Sequence, residues 1–505
     1  MKTKPLSSHW DTMSPEETRF RQGEKLRRYL RDHVVPFSAY YGGLFREEGI
    51  DPDSIRSIGD LAKIPFSSKS SLISESDGTP RTRDFVLVPD EKVLSRRPST
   101  IGRALLRGKA AVKAGFELEY RPVLMTSTTG RSAEPVPFLY TQRDLDHLAT
   151  TGRRLMEICD SRPDFRHLNL FPFAPHLAFW QAHYAGLGYN TFNLSTGGGK
   201  VMGTDGNVRL LDKIKPDALI GMPTFIYHVL QVAAEEGIDC PNIVRIVLGG
   251  EKVPEGLRRK LKALCAELGS GSVDVMATYG LTEAKMAWPE CPDREGHSPG
   301  YHLYPDLGIV EVIDPETGTV LGEGEPGEIV YTPLDSRGSV VLRYRTGDLI
   351  SGGLVHEPCP ACGRTVPRLV GRISRVSDVR RMNIGKVKGT LINFNDLEHI
   401  LDDLDGVGTW QIELRKRNND PLDCDEIVVH LAPTGRVSDS SLEEAISDRF
   451  ASATEIRPNR IEFHDARELR RKHGVGKALK EEKVVDHRED VSTPSKISHH
   501  TTHHE

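Results

Sequence analysis

"IVRIVLGGEKVPEGLRRKLKALCAELGSGSVDVMATYG", Ile243 to Gly280, contains two short apolar runs separated by a charged stretch that reads as helix. Each run is rich in Val, Ile and Leu or ends in Gly, as buried strands do. Parallel strands need a crossover of a dozen or more residues, and VPEGLRRKLKALCAEL supplies one of that length. The stretch is therefore a βαβ unit. The same texture recurs upstream in PVLMTS (Pro122–Ser127), HLNLFPFA (His167–Ala174), YNTFNLS (Tyr189–Ser195) and PDALIGMPT (Pro216–Thr224). Buried strands alternating with helices predict an α/β fold with a mostly parallel sheet. Ligands of such sheets gather at the carboxyl ends of strands. Ser127-Thr128-Thr129-Gly130, Gly249-Gly250-Glu251 and Tyr279-Gly280-Leu281-Thr282-Glu283 stand at those ends.

The texture changes on both sides of this region. The first hundred or so residues read as helices and loops, and the segment from Ser95 to Arg121 turns basic. That segment suits either a solvated amphipathic helix or an acidic partner. Past Gly300, LGIVEVIDPETGTVLGEGEPGEIVYTPL joins two strands by Pro- and Gly-rich turns, which predicts an antiparallel, β-barrel-like part. The expected division is a large domain over 1–371 and a charged linker over 372–389, with Asp378 as the pivot. A small α+β domain over 390–488 follows, then a His-rich, disordered tail over 489–505.

At 505 residues the chain holds more than one core. With 37% hydrophobic and 28% charged residues it has a globular composition. A net charge of −5 over this length gives no global field to recruit nucleic acid or anionic lipid. No apolar run approaches the roughly 18 residues of a transmembrane helix, and the N-terminus has no secretory pattern. Seven thinly spread cysteines suit a reducing cytoplasm rather than a disulfide framework.

Three stretches carry chemistry. In MTSTTGRSAEPVPFLYT (Met125–Thr141) the hydroxyls and free backbone N–H groups can reach phosphate oxygens, and Gly130 permits close approach. The Gly-Lys-Ser/Thr ending of a P-loop NTPase is absent. In TYGLTEAKMAWPEC, Tyr279 offers a stacking surface, Gly280 lets the backbone turn, and Glu283 is an oxygen ligand suited to Mg²⁺. In VLRYRTGDLI, Asp348 can accept hydrogen bonds from ribose hydroxyls or cap a turn. Arg343 and Arg345 suit structural ion pairs as well as substrate contacts.

Taken in order, TSTTG, LGGE, TYGLTE, PGEIVYTPL…VLRYRTGDLI, CPACGRTVPRLVGR and GK…VVDHR resemble the phenylacetate–CoA ligase branch of the acyl-adenylate-forming (AMP-binding) enzymes. The resemblance runs from about Trp10 to Arg488. It implies an ATP-dependent carboxylate–CoA ligase: a carboxylate attacks the α-phosphate of ATP to give acyl-AMP and pyrophosphate, then the thiol of coenzyme A displaces AMP. It also implies a small C-terminal domain that rotates between the half-reactions. Carried over, Thr126, Ser127, Thr128, Thr129 and Gly130 contact pyrophosphate, and Gly250 and Glu251 line adenine and the acyl pocket. Tyr279 stacks on adenine, Thr282 touches the α-phosphate, Glu283 holds Mg²⁺, and Asp348 and Arg372 bind ribose. Lys477, with Lys480 as an alternative, bridges the carboxylate and the α-phosphate. The loop departs from the family pattern: it lacks the first Gly, has Arg131, and inserts Ser132-Ala133-Glu134 before Pro135.

Cys359 and Cys362 in CPACGR are spaced to hold one tetrahedral ion, and Cys291 with His297 or His302 supplies the remaining ligands of a structural Zn²⁺. Spacing leaves the histidine open, whereas the family register favours His302. Phe171, Phe173, Phe179, Trp180 and Tyr184, with His176 and His183, lie where the family builds its acyl pocket, which suits an aromatic acid. Two other readings stay open. One is an adenylating enzyme that passes its acyl group to a carrier protein or an amine; the other is a silent nucleotide-binding protein. A homodimer is compatible with either.

Overall fold

The computed structural model describes residues 10–73, 81–128, 135–292, 298–376, 379–384, 387–419, 424–435, 437–454, 456–472 and 483–488. The chain divides into two compact units, Met1–Val253 with Arg258–Arg375 and Pro254–Leu257 with Val376–Glu505.

The first unit opens with helices. Pro15–Tyr29 starts at Ser14, whose hydroxyl accepts from Glu17 N at 3.1 Å, and places Glu16 and Glu17 in its first turn and Arg27 and Arg28 in its last. Both ends therefore match the helix dipole. The basic segment forms two helices, Pro98–Arg107 and Lys109–Tyr120. Leu105 and Leu106 lie over four-fifths exposed there, so the segment does not simply bury an apolar face.

β1 (Pro122–Ser127) and β2 (Pro137–Thr141) then pair antiparallel, Ser127 opposite Pro137. PVLMTS thus belongs to a separate hairpin and not to the parallel sheet. Three of its residues, Pro122, Val123 and Met125, are exposed, so its apolar sequence did not report burial.

The βαβ reading holds for the main sheet. β3 (Arg166–Asn169), β4 (Phe192–Ser195), β5 (Ala218–Gly221), β6 (Arg245–Gly249), β7 (Asp274–Leu281) and β8 (Met286–Pro289) stand in the order β4-β3-β5-β6-β7-β8. The first five are parallel, and β8 closes the edge antiparallel to β7. Helices Gln142–Ile158 and Leu177–Tyr189 approach each other closely through Gly152, where an added Cβ would stand 2.6 Å from Ala185 Cα. Only glycine fits that crossing.

β9 (Tyr301–His302), β10 (Gly308–Ile313), β11 (Gly327–Pro333), β12 (Tyr344–Ile350), β13 (Leu354–Val355), β14 (Arg368–Leu369) and β15 (Ile373–Arg375) complete the first unit. They form an antiparallel sheet β10-β11-β12-β15 and a smaller one, β13-β14-β9. The larger sheet is open, with β10 and β15 as its edges, so among the described residues no barrel closes. Pro- and Gly-rich turns predict the pairing but not the strand count or shear that closure requires.

In the second unit β16 (Val379–Ile384) and β17 (Val387–Asn393) form a hairpin that starts in the segment expected as linker and runs past its end. Ladder hydrogen bonds come from the backbone, so a charged sequence does not veto a strand. Helix Phe394–Asp403, β18 (Val407–Lys416), β19 (Asp425–Pro433), helix Asp439–Thr454 and β20 (Arg460–Phe463) follow, close to the expected α+β order. With β21 (Val484–Asp486) the strands form the sheet β20-β19-β18-β21, and Leu397, Leu401, Trp410, Ile446 and Phe450 fill its core. No helix among the described residues is long and apolar enough to cross a membrane.

One buried ion pair fastens the N-terminal segment to the sheet layers. Arg154 is fully buried, donates to both oxygens of Asp306 at 2.7 and 2.8 Å, and lies 4.2 Å from the Trp10 ring centroid. Burial alone would raise the Asp306 pKa, but the Arg154 hydrogen bond and charge prevail and hold it below the usual carboxylate value. The stabilisation is therefore present above the unfolded value near ~3.9 and is lost as pH falls through the lower folded one. Asp306→Ala leaves the guanidinium without its carboxylate and should cost about 3–5 kcal/mol in urea unfolding at neutral pH. A loss below about 1 kcal/mol, the range of exposed pairs, would show that the pair does not fasten this layer.

Candidate active site

β7 ends on Thr278-Tyr279-Gly280-Leu281, and the turn Thr282–Lys285 follows before β8. The Lys285 N–H donates to Thr282 O at 3.1 Å, which closes the turn. Lys285 has a positive φ of 60° and is buried, with its Nζ 3.1 Å from Asp144. Asp144 in turn accepts from Thr141 N at 2.9 Å and Gly338 N at 2.8 Å. Lys285 thus ties the turn carrying Thr282 and Glu283 to a rigid helix start. The sequence reading did not single it out.

Two hydrogen bonds cross from this strand end to β12. The Tyr279 hydroxyl donates to Asp348 Oδ2 at 2.9 Å, and the Tyr344 hydroxyl donates to Glu283 Oε1 at 3.0 Å. Burial raises both phenol pKa values well above normal, which keeps both groups protonated as donors. Asp348 also accepts from Arg375 Nε at 3.1 Å, and its own N–H donates to Thr346 Oγ1 at 3.0 Å. Burial raises the Glu283 pKa; the Tyr344 hydrogen bond and the Arg375 charge oppose that rise, and the Asp348 charge adds to it. The two carboxylates therefore sense each other across one guanidinium, an arrangement that a divalent cation would relieve.

Several expectations change here. Tyr279 packs its ring on Trp288 at 5.7 Å and 29°, so one face is taken and the hydroxyl orients Asp348. Gly280 lies within β7 without a positive φ, so it does not turn the backbone; it is exposed and leaves the strand bare. The guanidinium on Asp348 is that of Arg375. Arg372 is exposed, and its backbone N–H donates to Ser351 Oγ at 2.8 Å. Arg343 and Arg345 pair with Glu311 and Glu328, the structural alternative.

The hydroxyl loop leaves β1. Thr126 is fully buried and donates to the Tyr140 hydroxyl at 3.2 Å, so it anchors the hairpin and does not face phosphate. Thr128 pairs back across the loop base: its N–H donates to Val136 O at 3.1 Å and its Oγ1 accepts from Val136 N at 3.0 Å. Ser127 N–H donates to Pro175 O at 2.6 Å, and His176 Nδ1 donates to Ser127 O at 2.9 Å. His176 thereby holds the loop base. Thr129, Gly130, Arg131, Glu134, His297, Asp378, Lys477, Lys480 and the tail lie outside the described residues.

At the end of β6, Gly250 adopts φ 85°, a conformation that only glycine takes readily. Glu251 accepts from Thr224 Oγ1 at 2.8 Å and Thr224 N at 3.3 Å, at the start of helix Pro223–Glu235. Phe171 lies near the same strand end, 3.4 Å from where a Cβ on Gly249 would stand. Phe179 packs edge-on to Phe173 and Trp180 and stacks on His183 at 6.2 Å, which makes an aromatic cluster after β3.

Cys291, His302, Cys359 and Cys362 converge with their donor atoms all within 4.8 Å of one another. Cys291 Sγ is 3.8 Å from Cys359 Sγ, and Cys362 Sγ is 3.3 Å from His302 Nε2. Bonds of ~2.3 Å to sulfur and ~2.0–2.1 Å to nitrogen place tetrahedral neighbours roughly 3.8 Å (S–S) and 3.6 Å (S–N) apart. The four donors fit such an ion. His302 Nδ1 donates to Pro289 O at 3.3 Å, which turns Nε2 inward. Gly363 at φ 73° bends the Cys359–Cys362 turn back, its N–H on Cys359 O at 2.8 Å.

Tyr279→Phe removes one hydrogen bond to a carboxylate. The first unit should lose about 1.5–3 kcal/mol in thermal or urea unfolding; an unchanged midpoint would show that Asp348 does not depend on that hydroxyl.

Residues 159–333 match the family model of the AMP-binding enzymes. The chain is 27% identical over 377 residues to the phenylacetate–coenzyme A ligase of Aromatoleum evansii, covering 74% of each chain. It is 24% identical over 432 residues to that of Escherichia coli K12, covering 83% of this chain and 84% of the other. Its fold matches that of 2-hydroxyisobutyryl-CoA ligase in the postadenylation state, with a TM-score of 0.74 and 19% identity over 97% of this chain and 94% of that one. Residues 159–333 are therefore similar to the AMP-binding enzymes, and about three quarters of the chain is similar to phenylacetate–coenzyme A ligases.

Proposed function

We propose that this chain is an ATP-dependent carboxylate–CoA ligase that works through an acyl-AMP. A carboxylate oxygen of the acid attacks the α-phosphorus of ATP and pyrophosphate leaves; the sulfur of coenzyme A then attacks the acyl carbon and AMP leaves. The observation that supports this most directly is the pairing of Asp348 and Glu283 with Tyr279 and Tyr344 at the end of β7. In this reading Asp348 on β12 is the hydrogen-bond acceptor for ribose and Glu283, in the turn after β7, is the oxygen ligand for Mg²⁺. Fixed groups there act on the charge that develops at the phosphoryl centre. Asp348, oriented by Tyr279 and Arg375, holds the ribose hydroxyls. Glu283 holds Mg²⁺, which supplies charge neutralisation when bound. Thr282 touches the α-phosphate, and Ser127 through Gly130 contribute pyrophosphate donors. Lys477, or Lys480, offsets charge at the attacked phosphate. Adenine stacking by Tyr279 rests on the family resemblance alone.

An aromatic acid is the substrate class that Phe173, Phe179, Trp180 and His183 suit, and the phenylacetate relatives share that chemistry. Cys291, His302, Cys359 and Cys362 would hold one structural zinc, with no open position for catalysis. A cytoplasmic setting goes with this reading, since seven thinly spread cysteines suit a reducing compartment. The hinge between the units lies in the 372–389 stretch in this reading. A carrier-protein acceptor keeps one observation in its favour: Leu105 and Leu106 stand exposed on a basic helix, a surface that an acidic carrier could cover.

Incubated with ATP, Mg²⁺ and aryl acids, the protein should exchange pyrophosphate into ATP in an acid-dependent way and release AMP with coenzyme A alone. Replacing Lys477 and Lys480 together by alanine should lower the exchange by at least about 10²-fold, the scale of a lost electrostatic donor. Exchange that survives the double replacement would remove the lysines from the mechanism. A requirement for a partner protein in place of coenzyme A would favour the carrier.

Metal analysis of the native protein should find about one zinc per chain at the sulfur cluster, since such sites take a single closed ion. Cys359→Ser should lose it together with folding stability. A metal-free, equally stable native protein would rule the site out.

A further inference from the structure

The second unit holds a set of donors that the ligase reading leaves unused. His430 on β19, Glu462 on β20 and His464 just beyond it present ligand atoms within 4.8 Å of one another. The ladder brings them together. β19 and β20 run parallel with His430 opposite Glu462, and His464 N–H continues the pairing to Leu431 O at 2.8 Å. Glu462 and His464, two residues apart in an extended segment, share a face.

Their separations have the scale of a coordination sphere. His430 Nδ1 lies 3.0 Å from His464 Nε2 and 3.4 Å from Glu462 Oε2, and His464 Nε2 lies 3.9 Å from the same oxygen. Ligand atoms bound tetrahedrally at ~2.0–2.1 Å stand roughly 3.3–3.5 Å apart, inside this range.

The far side of His430 fixes its tautomer. Its Nε2 is 2.9 Å from Glu413 Oε2 on β18. An ionised carboxylate only accepts, so Nε2 carries the hydrogen and the Nδ1 lone pair faces His464 and Glu462. Metal-binding imidazoles are held in just this way, with the second nitrogen donating to a carboxylate. Two ring nitrogens and a carboxylate facing one another need an electrophile between them, either a proton or a metal ion.

We propose that His430, Glu462 and His464 bind one divalent transition-metal ion of the zinc type, with Glu413 as a positioning residue. Two imidazoles and one carboxylate match that class rather than Mg²⁺ or Ca²⁺, which prefer all-oxygen sets. Three protein ligands leave a fourth position open to water or a small anion. The site spans β18, β19 and β20 and is separate from the sulfur cluster in composition and in sequence.

The test uses the full-length chain with His499→Ala, His500→Ala, His503→Ala and His504→Ala, so that the tail histidines contribute nothing. Zinc content after dialysis against micromolar free zinc should exceed that of the same chain carrying His464→Gln, or His430→Gln, by about one ion, the stoichiometry of a three-ligand site. The comparison is a difference, so zinc at the sulfur cluster cancels. Glu413→Gln should keep the stoichiometry and weaken this binding by about 10–100-fold. Unfolding of each variant in chelator confirms that it is folded. Equal zinc in the parent and His464→Gln chains would mean that the histidines share only a proton, and would overturn the proposal. Unchanged affinity in Glu413→Gln would overturn the positioning role.

Discussion

The hydrogen bond from Tyr279 to Asp348 is where the two sheet systems of the first unit become one site. Tyr279 ends a parallel strand and Asp348 lies on an antiparallel one, and each is buried. A buried carboxylate is costly unless it is paired and hydrogen-bonded. The phenol and Arg375 supply the partners, and that requirement brings β12 against the end of β7. The parallel bond from Tyr344 to Glu283 repeats the device one turn later. Together they hold two carboxylates at fixed positions while leaving them able to accept further donors.

Other buried charges serve the same placement. Lys285 and Asp144 tie the Thr282–Lys285 turn to the start of a helix, and Arg154 with Asp306 ties the N-terminal segment to the layers below. Pairs of this kind contribute less to stability than their Coulomb energy suggests, because both ions lose their water. Their effect is positional: removing either partner is expensive, so alternative arrangements of these segments are disfavoured.

The sulfur cluster works at longer sequence range. Cys291 follows β8, His302 sits on β9, and Cys359 and Cys362 lie just before β14. The pairing of His302 with Arg368 across β9 and β14 aligns these segments before any ion is considered. Arg364 and Thr365, next to the cysteine turn, bond Asp11 and Met13, so the same corner secures the start of the described chain. An ion bound by these donors would lock a junction that backbone pairing has already drawn together.

The sequence by itself determined the parallel sheet, because β-branched runs ending in Gly and separated by helical stretches have few other solutions. It also determined the four-donor cluster, since Cys-x-x-Cys with a distant Cys and His carries its chemistry in residue type; the choice of His302 over His297 came from register with a family. Asp348, Glu283 and Gly250 stand out as candidates for the same reason: a carboxylate or a glycine near a strand end has a narrow set of uses. Tertiary structure alone decided which neighbours these groups have. Nothing in VLRYRTGDLI separates Tyr344, which reaches Glu283, from Arg343, which is spent on Glu311. Nothing in TSTTG shows that Thr126 points into the core, or that PVLMTS pairs in a hairpin. The His430, Glu462 and His464 group is invisible in sequence because His430 comes from a different strand than the Glu462–His464 segment. Local pattern encodes the element and its chemistry; side-chain partners depend on register and layer packing, which arise from contacts hundreds of residues apart.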